Sequence, residues 1–180
     1  MSIFTNASGT AVDQASAYID AVLALVGDRE PMEVLEELPV ALAEITRDMT
    51  GDQLRVPEAP GKWSAAVLLA HLADSELVWA FRLRMVLAEA DPVLTGYDQD
   101  RWVEHLRYRD RDPTVALEEI EFLRRGNLRL LRSLSTEQLE RSGRHSERGR
   151  ETVRHMVRLY AGHDLVHRKQ LERIRSSTQA

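Results

Sequence analysis

Two histidines one helical turn apart are the residues of this sequence best suited to chemistry. His163 and His167 form an H-x-x-x-H pair, and side chains at i and i+4 lie on the same face of a helix. In projection Met156 and Ile174 fall between them, at the centre of an apolar face. Two such imidazoles can bind one metal ion. The alternative is a pair of core histidines that bond backbone carbonyls.

A third histidine lies near the centre of another apolar helix face. His71 falls between Val78 and Leu68 in projection, and Ser75 follows one turn later on the same face. If the two helices are neighbours, three imidazoles converge and leave a coordination position for water or substrate. The remaining histidines are predicted at the surface or at a helix edge: His105, His145 and His155.

Two other metal-site patterns do not fit the sequence. A zinc protease would carry H-E-x-x-H, but Asp164 takes the place of the glutamate, and only 13 residues follow His167. A di-iron bundle would need Glu-x-x-His pairs on its helices, and the sequence contains none. Both readings are therefore rejected.

The composition excludes several further classes of function. The absence of cysteine excludes disulfides, thiolate ligands and a cysteine nucleophile, so any reacting thiol must come from a cosubstrate. Acidic residues outnumber the arginines and lysines, so the formal net charge is −5. This balance does not indicate a clustered basic surface, and no nucleic-acid partner is expected. The first residues lack the features of a signal peptide, and no apolar run approaches the length of a membrane span. We expect a cytoplasmic protein without a membrane partner.

Apolar residues recur at helical spacing along nearly the whole chain. This pattern predicts an all-α fold, a four-helix bundle with strand content near zero, in a single domain over residues 1–180. The predicted helical regions are 12–50, 64–89, 113–134 and a last helix from about 150–152 to 175, followed by frayed residues 176–180. The first region is interrupted near residue 27 and at Pro31, and it bends or restarts at Pro39.

The connection over residues 91–112 is unusually long for a compact domain. Such a connection allows a crossover between the second and third predicted helices, which can then run parallel. Its aromatic residues Trp102 and Tyr108 are predicted to anchor it to the bundle rather than to stack on a ligand.

Arg82 lies on the His71 face of the second predicted helix, about three turns further along. Two roles are open at this point. The arginine either holds a substrate carboxylate or, as is more common, pairs with Glu89 or another carboxylate of the bundle.

The sequence resembles the DinB/YfiT-like metal-dependent family of four-helix bundles over nearly its whole length. The resemblance rests on Pro60-Gly61-Lys62-Trp63-Ser64, His71-Leu72-Ala73-Asp74, His145-Ser146-Glu147-Arg148-Gly149 and Ala161-Gly162-His163-Asp164-Leu165-Val166-His167. It implies metal ligands at one histidine of the second helix and at the H-x-x-x-H pair of the last. These positions are His71, His163 and His167.

The same resemblance implies a divalent metal ion, with zinc or nickel ahead of iron or copper, since imidazole suits them all. Family members with an assigned activity include thiol transferases and a thiol-dependent isomerase, and homodimers occur among them. We therefore expect transfer of a small-molecule thiol to an electrophile by a homodimeric enzyme. A metal-dependent hydrolase and a non-enzymatic, stress-related metal-binding or interaction protein remain alternatives.

Overall fold

The computed structural model describes residues 12–178, most of which are helical. The helices are α1 (Val12–Val26), α2 (Pro31–Thr46), α3 (Gly51–Arg55), α4 (Ala65–Ala88), α5 (Gln99–His105), α6 (Pro113–Arg132), α7 (Thr136–Leu139) and α8 (Val153–Thr178). The strands are β1 (Val93–Leu94), β2 (Ser142–His145) and β3 (Gly149–Thr152). Within this range no helix is long and apolar enough to cross a membrane.

The helices α2, α4, α6 and α8 form a four-helix bundle, in which α2 and α4 each pack against both α6 and α8. α1 lies along α8 at Gly162. A Cβ atom at this glycine would lie 2.3 Å from Cγ1 of Val22, so only glycine permits this close approach.

In the contacts between α4 and α6, the residue numbers increase in the same direction along both helices. Arg111, just before α6, donates to Asp74 at 2.8 Å. Arg124 then pairs with Glu76, and Arg84 donates to Asn127 at 3.0 Å. This ascending order is the one that parallel helices produce.

Helix starts follow the capping residues that the sequence offers. α4 begins after Ser64, whose hydroxyl accepts from the backbone N–H of Val67. α6 begins at Pro113 after Asp112, whose carboxylate accepts from the N–H of Thr114 at 2.8 Å. Both helix starts were predicted from the sequence and are confirmed, because a side-chain cap acts locally.

Pro39 lies inside α2, which continues from Pro31 to Thr46, so the helix does not restart at this proline as one of the two predicted alternatives required. An interior proline costs about 3 kcal/mol. Leu35, Leu38 and Leu42 on either side of it are buried, and each contributes roughly 1.5–3 kcal/mol. Burial of this face therefore offsets the cost and keeps the helix continuous.

The prediction of almost no strand is wrong for the segment before α8. β2 and β3 form an antiparallel hairpin, and β1 pairs with β2 in parallel. These short strands are mostly polar, so no apolar alternation marked them. Other segments also depart from their predicted state: α3 and α5 lie in predicted loops, and α8 continues to Thr178 through residues expected to fray.

The connection over residues 91–112 is anchored to α4 by aromatic residues, as predicted. Tyr108 is fully buried, and its hydroxyl donates to Oδ2 of Asp74 at 2.7 Å. Trp102 packs on the ring of Tyr97 at a centroid distance of 4.2 Å. The connection thereby carries Tyr97 to the side of α4 that bears His71.

A buried ionic network ties the four helices of the bundle together. The Arg124 side chain donates to Glu76, to Asp164 at 2.8 Å and to the backbone carbonyl of Leu35. Asn127 donates to the second oxygen of Glu76 at 3.1 Å. All of the charged members are at most 1% exposed, so each depends on the others for stabilisation.

We predict that Arg124→Gln lowers the free energy of unfolding by about 3–5 kcal/mol, because it leaves two buried carboxylates without their counter-charge. Urea unfolding monitored by circular dichroism measures the change. The control is Arg125→Gln, one residue along and exposed, which should cost no more than about 0.5 kcal/mol. Equal stability of the two variants would contradict the assigned role of Arg124.

Candidate metal centre

The packing of α4 against α8 brings together the three histidines singled out in the sequence. His71 comes from α4, and His163 and His167 come from α8. Ligand nitrogens of the three lie within 4.8 Å of one another, and the Nε2 atoms of His71 and His163 are 3.4 Å apart. The structure therefore places the whole predicted set at one point.

The rings differ in their access to solvent. His71 is 1% exposed and His167 6% exposed, whereas His163 is only partly buried. The residue before His71 in α4 is Ala70, and Ala161 lies two residues before His163 in α8. Both alanines are buried. Two histidines are thus enclosed by the bundle, and the third lies at its edge.

A hydrogen bond selects the tautomer of His167. Its Nδ1 lies 3.0 Å from Oε1 of Gln170, an amide oxygen that can only accept. Nδ1 therefore carries the proton and leaves the lone pair of Nε2 free. This arrangement, in which a partner orients a histidine through its other nitrogen, is common around metal-binding histidines.

Burial keeps the three imidazoles neutral. Desolvation, followed by the neighbouring imidazole of His167, lowers the pKa of His71 well below its usual value. Desolvation and the two other rings lower the pKa of His163 in the same way. For His167, burial lowers the pKa to about 4. Neutral imidazole is the form that binds a metal ion, so no proton has to be displaced near pH 7.

The donor set fits a divalent transition metal. Two nitrogens at about 2.0–2.1 Å from one ion, in tetrahedral arrangement, lie about 3.3–3.4 Å apart. The separation of 3.4 Å between Nε2 of His71 and Nε2 of His163 agrees with this value. Since the described cluster contains three histidines and no further ligand, a coordination position would remain for a small molecule.

His163 also forms part of the wall of a cavity of about 140 Å³. The wall combines apolar and aromatic residues with a few polar ones, and includes Tyr18, Ser75, Trp79, Arg82, Tyr97, Arg148, Glu151 and Tyr160. Ser75 connects the histidines to this space, because its hydroxyl lies 3.4 Å from Nε2 of His71 and 3.2 Å from the hydroxyl of Tyr97. A molecule in the cavity would therefore lie beside the histidines.

Charge pairing in the hairpin shapes the far wall of the cavity. Arg148 donates to both carboxylate oxygens of Glu151, at 2.6 and 3.1 Å, and Glu151 is 1% exposed. Burial raises the pKa of Tyr97 and raises that of Tyr18 to about 12. Both phenols are therefore neutral donors at physiological pH.

The three histidines outside the cluster and Arg82 differ in how far they follow the sequence-based expectations. His145 was predicted at the surface or at a helix edge, but it is 3% exposed and lies in β2 of the unpredicted hairpin. His105 is exposed and His155 is partly buried, in line with their predicted surface or edge positions. Arg82 was expected to pair with Glu89 or another carboxylate, yet among the described residues it forms no ion pair. It donates instead to the carbonyl of Thr95.

Sequence reasoning missed Arg148 and Glu151 as cavity residues. Both lie in or beside the hairpin, where neither helical nor strand periodicity was visible. The one available signal was the segment His145-Ser146-Glu147-Arg148-Gly149, which supports the family resemblance but does not by itself indicate a cavity.

Comparisons with known proteins agree with this arrangement. A family model described as the DinB superfamily matches residues 35–171, a range that includes all three histidines. A protein of Oceanobacillus iheyensis named "Putative metal-dependent hydrolase OB0782" is 32% identical over 133 residues, which cover 74% of this chain and 77% of that protein. "Putative metal-dependent hydrolase YfiT" of Bacillus subtilis is 31% identical over 137 residues, 76% of this chain and 77% of that protein.

A solved structure gives the same result for the fold. YfiT from Bacillus subtilis, described as "a probable metal-dependent hydrolase with an unusual four-helix bundle topology", superposes with a TM-score of 0.72. The two sequences are 30% identical, and the match covers 79% of this chain and 84% of that one.

We predict that His163→Ala abolishes stoichiometric metal binding, because it removes one of three ligands. Elemental analysis of purified protein should find about one divalent ion per wild-type chain and far less in the variant. His155→Ala, on the same helix but outside the cluster, is the control and should retain the ion. Unchanged metal content in His163→Ala would refute the assignment.

The lowered pKa of His167 predicts a pH dependence for the metal-free protein. The unfolded chain, with a histidine pKa of about 6.5, binds the proton more readily than the folded one, so stability is lost as pH falls from there towards about 4. Asp164, whose pKa burial raises to about 7, acts in the opposite direction. The quantity to measure is therefore the difference in unfolding free energy between wild type and His167→Gln.

As the pH falls from 6.5 to 5, the wild type should lose about 2 kcal/mol of unfolding free energy relative to His167→Gln. Urea unfolding in the presence of a chelator, at a series of pH values, provides the measurement. A difference independent of pH would show that His167 is not held neutral by burial.

Proposed function

We propose that this chain, which belongs to the DinB superfamily, is a metal-dependent enzyme that transfers a low-molecular-weight thiol to an electrophile. The observation that carries the proposal is the convergence of three neutral imidazoles beside a cavity of about 140 Å³. Such a donor set leaves room for a reacting group next to the ion.

His71, His163 and His167 would hold the ion. A divalent metal bound there supplies Lewis acidity, which lowers the pKa of a nucleophile such as a thiol. The chain contains no cysteine, so the sulfur atom must arrive on a small molecule. The cavity beside His163 is where that molecule would bind.

The protein's own residues prepare this site in four ways. Burial holds the imidazoles neutral, and Gln170 directs the free nitrogen of His167. The hydroxyls of Ser75 and Tyr97 lie next to the histidines and can donate hydrogen bonds to a bound molecule. The remaining wall is largely aromatic and aliphatic, which limits the access of bulk water.

Hydrolysis is the second candidate function. The names of the relatives from Oceanobacillus iheyensis and Bacillus subtilis favour it, and the same three histidines could activate water in place of a thiol. The two reactions differ in one observable property: hydrolysis consumes the electrophile without an added thiol. A non-enzymatic metal-binding protein would show neither reaction.

The partners and the metal are part of the proposal. Zinc or nickel is proposed first, with iron or copper as the other metals that suit imidazole. We also propose a homodimer, since two-fold dimers are the commonest oligomers. Leu77 and Phe81 of α4, 57% and 64% exposed, offer an apolar surface for a second copy.

We predict metal-dependent, thiol-dependent consumption of an electrophile. Activity should disappear on chelation and return on addition of a divalent metal, and His71→Ala should abolish it while the helical circular dichroism spectrum is retained. His155→Ala is the control and should keep full activity. The assay follows free thiol and electrophile separately, over a panel of both.

The outcomes separate the candidates. Metal-dependent loss of the electrophile without loss of thiol would replace thiol transfer by hydrolysis. No metal-dependent consumption of either compound would leave a metal-binding protein without turnover.

A further inference from the structure

The charged side chains that line the cavity do not balance. Arg82, Arg148 and Glu151 are the charged residues of its described wall. Arg148 and Glu151 form two hydrogen bonds with each other and so neutralise one another. The histidine and the tyrosines of the wall are neutral, so the described wall carries one net positive charge. Glu147 lies outside this wall but interacts electrostatically with Arg82.

The guanidinium of Arg82 has few partners for its position. One Nη donates to the carbonyl of Thr95, and Cζ lies 5.9 Å from the centroid of the Tyr97 ring. Among the side chains of residues 17–178, none of the ion pairs within 4 Å includes Arg82. Several N–H groups of its planar fork are therefore available to a ligand.

The surroundings make this cation unfavourable. Burial, and then the charge of Arg148, lower the pKa of Arg82, and they outweigh the opposing effects of Tyr97, Glu151 and Glu147. Arg124, a fully buried arginine of the bundle, has the opposite environment from the partly buried Arg82, since it contacts two carboxylates. A bound anion would supply Arg82 with a negative counter-charge, as Glu76 and Asp164 do for Arg124.

We propose that Arg82 binds a carboxylate of the substrate, carried by the thiol or by the electrophile, while the reacting end of that molecule lies beside the histidines. A planar carboxylate matches the guanidinium fork through two parallel hydrogen bonds. Only the placement of the reacting end rests on the proposed function. Recognition of the anion itself rests on the charge and contacts of the cavity wall.

The positions of the residues also set the length of the ligand. His71 and Arg82 are separated by about 16 Å along α4, and the long arginine side chain spans part of that distance. Ser75 and Tyr97 lie between them, with their hydroxyls 3.2 Å apart. The carboxylate of the ligand should therefore be several bonds away from its reacting atom.

The test compares 6-mercaptohexanoate with its uncharged amide, 6-mercaptohexanamide, by calorimetric titration of the zinc-loaded protein. Wild type should bind the acid at least about tenfold more tightly than the amide, the value expected for a charge-assisted bidentate contact. Arg82→Gln should reduce this preference to less than about twofold. Arg125→Gln removes the same charge from an exposed site on α6 and should keep the full preference.

Arg82→Lys provides a second variant that retains the charge but loses the fork. We expect a preference between those of wild type and Arg82→Gln. Circular dichroism and urea unfolding establish that each variant is folded; if Arg82→Gln is not, the lysine variant decides. A wild type without preference for the acid, or a substituted protein with the full preference, would overturn the proposal.

The acid and amide titrations also separate this inference from the proposed function. Preference for the acid that depends on Arg82, in a protein that consumes neither thiol nor electrophile, would support the anion site and refute the enzyme. Metal-dependent turnover with equal binding of acid and amide would support the enzyme and refute the anion site.

Discussion

The structure depends on one buried ionic contact, that of Arg124 with Glu76 and Asp164. Charges this deeply buried are tolerated only when they meet, so Asp164 must face α6 and Glu76 must face the same arginine. Asp164 directly follows His163 in α8. Once the carboxylate is turned towards Arg124, the helical repeat turns His163 and His167 towards α4. The ionic network thereby sets the rotation of the helix that carries two of the three histidines.

Desolvation has a second consequence at the histidines. Two imidazoles enclosed by apolar side chains, and a third at the edge, cannot easily hold protons. The same burial that opposes their charged form prepares them for a metal ion. Burial raises the pKa of Asp164 to about 7, and the neighbouring charge of Arg124 opposes part of this rise. Exclusion of water from the interior therefore both stabilises the bundle and keeps the imidazoles in the neutral form that binds a metal ion.

Long-range contacts, rather than local patterns, build the space beside the histidines. The hairpin supplies Arg148 and Glu151, the connection over residues 91–112 supplies Tyr97, and α4 supplies Arg82. Because Glu151 pairs with Arg148, the described wall of the cavity carries one net positive charge, that of Arg82. A purely apolar pocket would hold many small molecules, whereas this one distinguishes an anion from a neutral compound of the same shape.

The sequence alone was sufficient for the long helices, their caps at Ser64 and Asp112, and the three histidines, because helical periodicity and capping are local properties. It did not reveal the hairpin, since polar strands of four residues carry no periodic signal. The hairpin is also stabilised by β1, which pairs with β2 from a distant part of the chain. Nor did it reveal that His145 is buried or that Arg82 forms no ion pair with any of the described residues. Those properties depend on which segments meet in space, and the packing of α4, α8 and the hairpin decides them.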